Sequence, residues 1–228
     1  MILIGCADQY QTQGIHGEPH KYLHKSYWGL DVVNCIVAAV CGAGYRVVMT
    51  SPNALTGTDR IAEAAGQIDA DLFINVQGDE PMLDPASIVK VIDYAKLHPG
   101  EIINGFAVME ESEGPANVNI PKCVIASDGR LLYMSRAAVP SFKDETKRPE
   151  FYHKQICIYA FTREQLEAFA AADCKAPAEK AEDIEILRFL DMDYKVRMIE
   201  LPGDTLAVDM PEDVQRVEDA MRAAGVIF

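Results

Sequence analysis

The run Asp71-Leu72-Phe73-Ile74-Asn75-Val76 constrains this chain most. It is nearly continuous in apolar residues rather than alternating. That marks a strand buried on both faces, as in a parallel-type sheet with helices on either side. The run leads straight into Gln77-Gly78-Asp79-Glu80-Pro81 at the strand's C-terminal end, and in open α/β sheets ligands bind outside those ends. Gly78 permits a sharp turn or a close backbone approach. Asp79 offers a hard oxygen suited to Mg²⁺ and, equally, a cap for the next helix.

The flanking pattern alternates strand with helix. Ile2 to Gly5 reads as a short first strand, Gly29 to Val40 as a helix, and Tyr45 to Met49 as a strand. Thr58 to Ala65 reads as a helix capped by Thr58 or Asp59, and Pro85 to Leu97 as another with Pro85 in its first turn. Ile102 to Met109 is a further strand. From Pro121 the pattern changes: Lys122 to Ile125 and Leu131 to Met134, joined through Ser127-Asp128-Gly129, predict a hairpin. Ile156 to Phe161 follows as a strand, then helices over Arg163 to Ala172 and Ala178 to Asp191. Val196 to Glu200 is a strand, and Pro211 to Ala224 closes the chain as a helix capped by Asp209 or Met210. This predicts an α/β fold with a Rossmann-like mixed sheet flanked by helices and a small central β layer. The expected organisation is one domain over residues 1–228, with 1–44 a divergent N-terminal segment and about 117–161 an inserted β layer suited to dimer contact.

Charge narrows the partners. Lys and Arg total 21 against 35 Asp and Glu, a net −14, which disfavours nucleic acid. A small anionic substrate remains compatible, because a few local cations or a metal reverse the field inside a cleft. The six cysteines form no CxxC pair and read mostly as small buried apolar residues. Met1 to Gly5 is too short for a signal segment and no stretch is long enough to span a membrane, so the expected location is the cytoplasm.

A second carboxylate sits at Leu206-Ala207-Val208-Asp209-Met210-Pro211, again between an apolar run and a helix start. Taken alone, Asp209 reads first as an N-cap. Together, two carboxylates at two strand ends could serve one cation. Taken with Thr56-Gly57-Thr58-Asp59-Arg60, Asn75 to Pro81, Ser135-Arg136, Ile158-Tyr159, Glu182, Glu185, Leu187-Arg188 and Val208 to Asp213, the sequence resembles the CMP-3-deoxy-manno-octulosonate (CMP-Kdo) synthetases. The resemblance runs in order from about Tyr45 to the C-terminus.

The resemblance implies the nucleotide-diphospho-sugar transferase fold and transfer of CMP from CTP to the anomeric hydroxyl of a 2-keto-3-deoxy sugar acid, with pyrophosphate released. It implies Mg²⁺ held by Asp79 and Asp209, with Arg60 as a third catalytic group. It places Thr56, Gly57, Thr58, Asp59 and Gln77 at the nucleotide, and Arg136, Tyr159, Glu182 and Glu185 at the sugar acid. Arg60 or Arg136 could grip the sugar carboxylate as a fork, or form an ordinary ion pair. A homodimer and a role in lipopolysaccharide synthesis are also implied.

The N-terminal segment departs from the family pattern. Where that pattern has cations around the triphosphate, this chain aligns Gln9, Gln13 and Glu18, or, on a rival alignment, lacks the loop. One charge pair at 4 Å is worth about 4 kcal/mol at an effective dielectric near 20, so the exchange matters. His16, His20, Lys21, His24 and Lys25 lie just downstream and could compensate. On the acceptor side, the pattern predicts His at Ala54, His-x-Gly at Gln155 to Cys157, and Gln at Ile186. Two further readings therefore stand beside the first: a cytidylyltransferase with a changed acceptor, and a non-catalytic nucleotide-binding paralogue.

Overall fold

The computed structural model describes residues 2–5, 41–42, 44–51, 53–77, 80–172, 174–203, 206, 208 and 213–225. Residues 29–40, Gln9, Gln13, Glu18, the histidines and lysines of 16–25, Gly78, Asp79, Asp209 and Met210, for which the sequence raised expectations, fall outside them.

The apolar run forms strand β2 (Leu72–Gln77), and its neighbours Phe73 and Ile74 show why it resists alternation. Both are fully buried, yet Phe73 packs into the core on one face and Ile74 into the core on the other. Strand β1 (Ile2–Gly5) pairs parallel to β2, with Leu3 opposite Asn75. Strands β3 (Ile102–Val108) and β7 (Val196–Glu200) pair parallel to each other. Strand β6 (His153–Thr162) runs antiparallel between β2 and β3, giving the order β1-β2-β6-β3-β7. The sheet is therefore mixed, as expected.

Helix α1 (Gly57–Ala65), α3 (Arg163–Ala170) and α5 (Ile186–Asp191) cover one face, where Ile61, Ala62, Phe161, Leu166, Phe169, Leu187 and Phe189 pack together. Helix α2 (Pro85–Leu97) covers the other, its Val91 packed with Ile74, Ile103 and Ile158. The hairpin β4 (Lys122–Ile125) and β5 (Leu131–Ser135) forms as predicted, with Gly129 in the left-handed region at φ 84°. It joins β6 at Lys122↔Lys154 and Cys123↔His153. The third strand expected in that small layer, β6, instead runs through the middle of the main sheet. Cys123 is buried, whereas Cys41 and Cys174 are exposed.

Three local expectations are corrected. Residues 45–49 form no strand, and Tyr45 and Met49 are 71% and 61% exposed. Arg46 donates instead to the Gln67 carbonyl just past α1, and the Ser51 N–H that follows the segment goes to Glu63 of α1. The cap of α1 is Thr56, whose hydroxyl accepts the Asp59 N–H, rather than Thr58 or Asp59. The single helix expected over 178–191 is broken into α4 (Pro177–Glu182) and α5 by Asp183, which turns left-handed at φ 52°. Aspartate tolerates that conformation better than most residues. The break sends Glu182 and Glu185 to different partners.

Candidate functional site

The site begins where β2 ends. Along one edge of β6, β2 pairs as far as Val76↔Ile158 and β4 takes over at Lys122↔Lys154. The stretch between is closed by single contacts: Gln155 donates its N–H to Pro121 O at 3.0 Å, and Cys157 donates to Glu80 Oε1 at 3.3 Å. A crevice beside the C-terminal end of a strand is where an α/β sheet binds ligand. Gln77 is the last residue of β2.

The N-terminus of α1 faces the same region through Glu185. The Glu185 carboxylate accepts from the N–H groups of Gly57 and Thr58, each at 2.9 Å, and from the Thr58 hydroxyl. A helix N-terminus carries unsatisfied donors and partial positive charge, so an internal carboxylate is a fitting partner. Burial pushes the Glu185 carboxyl above its ordinary value; the hydrogen bonds from Thr58 and Gly57 pull it back, and Asp59 pushes the other way. Thr58 and Gly57 are thereby fixed by a residue 127 or more positions away.

Asp59 turns inward from the same helical turn. It meets Arg188 Nη1 at 3.3 Å and accepts the Thr56 hydroxyl at 2.7 Å. Arg188 is 1% exposed, forks onto Glu179 at 2.7 and 2.6 Å, and lies 3.7 Å from the Phe169 ring centroid. Glu179 is fully buried and also accepts the Ala176 N–H at 2.9 Å. The Asp59–Arg188–Glu179 triad thus joins α1, α5 and α4. Arg60, on the next position, donates to Ser51 O at 2.9 Å.

Glu182 and Arg136 meet across the start of α5. Glu182 accepts the Ser135 hydroxyl at 2.6 Å and the Arg136 N–H at 2.9 Å. The Arg136 guanidinium donates to the carbonyls of Glu182 (2.6 Å), Val118 (3.0 Å), Asn119 (3.3 Å) and Asp183 (3.2 Å). Its fork therefore grips backbone in this structure. Lys122, fully buried, donates to the Asn117 and Arg136 carbonyls. Burial lowers the Lys122 pKa, the Arg136 cation lowers it further, and Glu182 opposes both.

Tyr159 stands on β6 between Asn75 of β2 and Asn104 of β3. Its ring stacks on Phe161 at 5.7 Å, and its hydroxyl accepts Gln155 Nε2 at 3.0 Å. Burial raises the phenol well above its ordinary value, with Cys157, Glu185 and Glu80 acting in the same direction.

The structure therefore brings Thr56, Gly57, Thr58, Asp59, Glu185 and Tyr159 to one face of the sheet. Arg136 and Glu182 form an adjoining cluster at the end of β5. Asp79 and Asp209 lie outside the described residues; among those described, no group of three or more His, Cys, Asp or Glu is arranged to hold a metal. Sequence reasoning missed Asn104, Glu179 and Lys122 as ordering residues. Asn104 was signalled by a polar residue beside Gly105 inside an apolar strand, where a bulge is common. Glu179 and Lys122 carried no such sign, because a charged residue near an element end normally reads as solvated.

The cytidylyltransferase family profile matches residues 33–198. The 8-amino-3,8-dideoxy-manno-octulosonate cytidylyltransferase of Shewanella baltica is 38% identical over 192 residues, covering 82% of this chain and 77% of its own. The protein of the same name from Shewanella oneidensis shows the same identity and coverage. Among solved structures, a CMP:2-keto-3-deoxy-manno-octonic acid synthetase complexed with CTP superposes with a TM-score of 0.76 at 28% identity, over 83% of this chain and 78% of that one.

Proposed function

This chain belongs to the cytidylyltransferase family, and from that premise we propose that it transfers CMP from CTP to the anomeric hydroxyl of a Kdo-like sugar acid. The relatives named for that chemistry support the reading, as does the superposition on a synthetase complexed with CTP. The observation that carries it is the Glu185 hold on the α1 N-terminus, on the sheet face that also carries Tyr159. Tyr159 stands there opposite Asn75 of β2, beside a stretch of β6 whose amides go to Glu80 and Pro121 rather than to a strand.

The reaction needs positioning and charge neutralisation rather than a protein nucleophile. The anomeric hydroxyl gives up its proton to solvent as its oxygen forms a bond to the α-phosphorus of CTP. The bond from that phosphorus to the bridging oxygen breaks, and the pyrophosphate takes the electron pair. Within this chain, Glu185 holds the Gly57 and Thr58 amides in a fixed array, and the Arg188 triad holds the turn beneath them. Glu80 and Pro121 accept the β6 amides of Cys157 and Gln155 between β2 and β4.

The donor chemistry fits a hard divalent cation. Asp79 follows β2 by two residues, and Asp209 precedes α6 (Asp213–Ala223), so both are carboxylates next to strand or helix ends. We propose that these two residues hold Mg²⁺, which when bound neutralises phosphate charge. Asp79→Ala is then expected to abolish the Mg²⁺-dependent rate.

The acceptor named in the Shewanella relatives carries an amine at C8. The exchanges at Ala54, Gln155 and Ile186 agree with an acceptor site altered from the Kdo pattern. We infer that the amino sugar acid is the preferred acceptor. The test is pyrophosphate release with CTP, Mg²⁺ and a panel holding both Kdo and its 8-amino analogue. Turnover of the amino acid at least tenfold above Kdo supports the finer reading. Protein that binds CTP yet turns over neither acid overturns the whole.

Two further properties are proposed on the same footing. Among the described residues strand β5 pairs with β4 alone and exposes Leu132 and Tyr133, an edge suited to a second copy of the chain. Analytical ultracentrifugation should then give a dimer in solution. No helix of the described residues is long and apolar enough to cross a membrane, and we propose a cytoplasmic reaction on the ground of its use of CTP.

A further inference from the structure

A second cleft opens between the start of β5 and the turn that joins α5 to β7, with a volume of about 330 Å³. Small-molecule pockets begin at about 300 Å³, so it has room for a modest organic ligand. Arg136 follows β5 and Glu185 precedes α5, at the opposite ends of both elements. The cleft therefore lies outside the site described above.

Two local motifs set its walls. On the hairpin side, the β4–β5 register shifts between Val124 and Ile125, and Leu132 is the extra residue between Leu131 and Tyr133. Such a bulge re-aims side chains. Consecutive Leu131 and Leu132 both line the cleft, the first buried and the second 49% exposed, where a regular strand would send them to opposite faces. On the other side, α5 ends in a Schellman turn. Asp193 is left-handed at φ 62°, its N–H goes to Leu190 O at 3.1 Å, and the Tyr194 N–H goes to Phe189 O at 2.9 Å. The Tyr194 ring packs edge-on against Phe189 at 5.9 Å, the apolar contact that accompanies this turn. The hairpin turn is fastened to β7 by the Met198 N–H on Gly129 O at 2.9 Å and by Arg197 on Asp128 O at 2.6 Å. Backbone hydrogen bonds thus hold both walls in place.

The lining is amphipathic and carries excess positive charge. Leu131, Leu132, Leu190 and the Tyr194 ring supply apolar surface, while Arg130 and Lys195 set two cations against one carboxylate, Asp193. That balance runs against the net −14 of the whole chain. Asp128 lies beside Arg130 at 3.9 Å, outside hydrogen-bond range, and its other oxygen accepts the Arg130 N–H. Glu101, within electrostatic reach of Lys195, is taken up by the Arg197 guanidinium.

We propose that this cleft binds a small monocarboxylate with an apolar or aromatic body, its carboxylate between Arg130 and Lys195 and its body against Leu132 and Tyr194. The proposal goes beyond the transferase reading and does not depend on it, because none of these residues belongs to the proposed CTP or sugar-acid site.

The test titrates the whole chain with indole-3-acetate and 3-phenylpropionate by calorimetry. A dimer on the β5 edge would border Leu132, so the protein is titrated in its solution oligomeric state. The expected result is one site with a millimolar or tighter Kd, unchanged by saturating CTP. Indole-3-ethanol keeps the ring without the charge and should bind at least about tenfold more weakly. Lys195→Gln and Arg130→Gln should each weaken the acids by about fivefold, the upper range for an exposed ion pair, and leave indole-3-ethanol within twofold. Both side chains are exposed, so these variants keep the fold. A second readout is independent of heat: the Leu132 methyl resonances, assigned by their loss in Leu132→Ala, should shift as either acid is added. No binding of either acid overturns the proposal, as does displacement by CTP or equal affinity for indole-3-ethanol. Binding that survives both glutamine variants unchanged, or unmoved Leu132 methyls, overturns it equally.

Discussion

Glu185 accepts the Thr58 N–H at 2.9 Å across 127 residues of chain, so the C-terminal half of the protein sets the geometry of the α1 N-terminus. The same carboxylate takes the Gly57 N–H and the Thr58 hydroxyl. Hydrogen bonds to a charged group are worth about 1.5–3 kcal/mol each when buried. Glu185→Gln keeps the volume but turns an NH₂ group toward donors. We expect a loss of about 2 kcal/mol in urea denaturation and a fall in kcat/KM for CTP of at least about tenfold. A variant with unchanged stability and unchanged kcat/KM would show that the α1 N-terminus is held by other means.

The triad beneath it makes a sharper energetic case. Arg188 is 1% exposed and Glu179 fully buried, so truncating the arginine strands a buried carboxylate. Breaking a buried pair from one side costs about 3–5 kcal/mol, whereas replacing both partners with apolar residues is often neutral. Arg188→Met should therefore destabilise more than Arg188→Met/Glu179→Met, as read from chemical denaturation midpoints. If the double variant is as unstable as the sum of the two single ones, the pair is not the source of the loss.

The fold was legible wherever burial was two-sided or capping was local. The run through Phe73 and Ile74 announced a central strand because neither face meets water. Pro85 marked the start of α2, which Asp84 caps in the structure. Strand expectation failed at residues 45–49, where an apolar-looking stretch meets no neighbouring ladder and is pinned by Glu63 and Gln67 instead. It failed again at Asp183, because a helix break depends on where Glu182 and Glu185 must reach, and those partners lie 46 and 127 residues away. The Thr56–Asp59 segment meets Glu185 through the Gly57 and Thr58 amides, a pairing across 127 or more residues that no local pattern encodes. The triad partner Glu179 stayed hidden, since nothing local distinguishes a buried glutamate from a solvated one.

Acid sensitivity is expected at the junction of hairpin and sheet. Glu101 pairs with Arg197, which in turn donates to Asp128 O in the hairpin turn at 2.6 Å. The Arg197 hydrogen bond holds the Glu101 carboxyl below its ordinary value, with burial opposing and the cation adding to it. A depressed folded-state value means the unfolded chain binds the proton first. The pair's contribution is therefore complete above the ordinary glutamate range and is lost as pH falls through the lower folded value. Wild type should exceed Glu101→Gln in stability by about 1 kcal/mol near neutrality. The two should converge in urea midpoints on acidification below the ordinary glutamate range. A difference independent of pH would assign the effect to packing.

Arg136 supplies the last test, because its fork reaches backbone carbonyls on two separate segments. It joins Val118 and Asn119 to the Glu182–Asp183 turn, and Lys122 adds a second tie through Asn117. Lysine at 136 keeps the charge but cannot span four acceptors, since its single ammonium lacks the planar fork. Arg136→Lys should raise hydrogen exchange at residues 117–120 and at the Asp183 amide, with the central strand β6 unchanged. The effect on catalysis follows from which partner the guanidinium prefers. If it stays on the carbonyls when the sugar acid binds, the variant loses kcat and keeps its acceptor KM. If the guanidinium leaves them for the substrate carboxylate, acceptor KM rises by about a factor of ten or more, the worth of a charge-assisted hydrogen bond. The geometry of four short carbonyl contacts predicts the first outcome, and a KM-dominated loss would reverse that assignment.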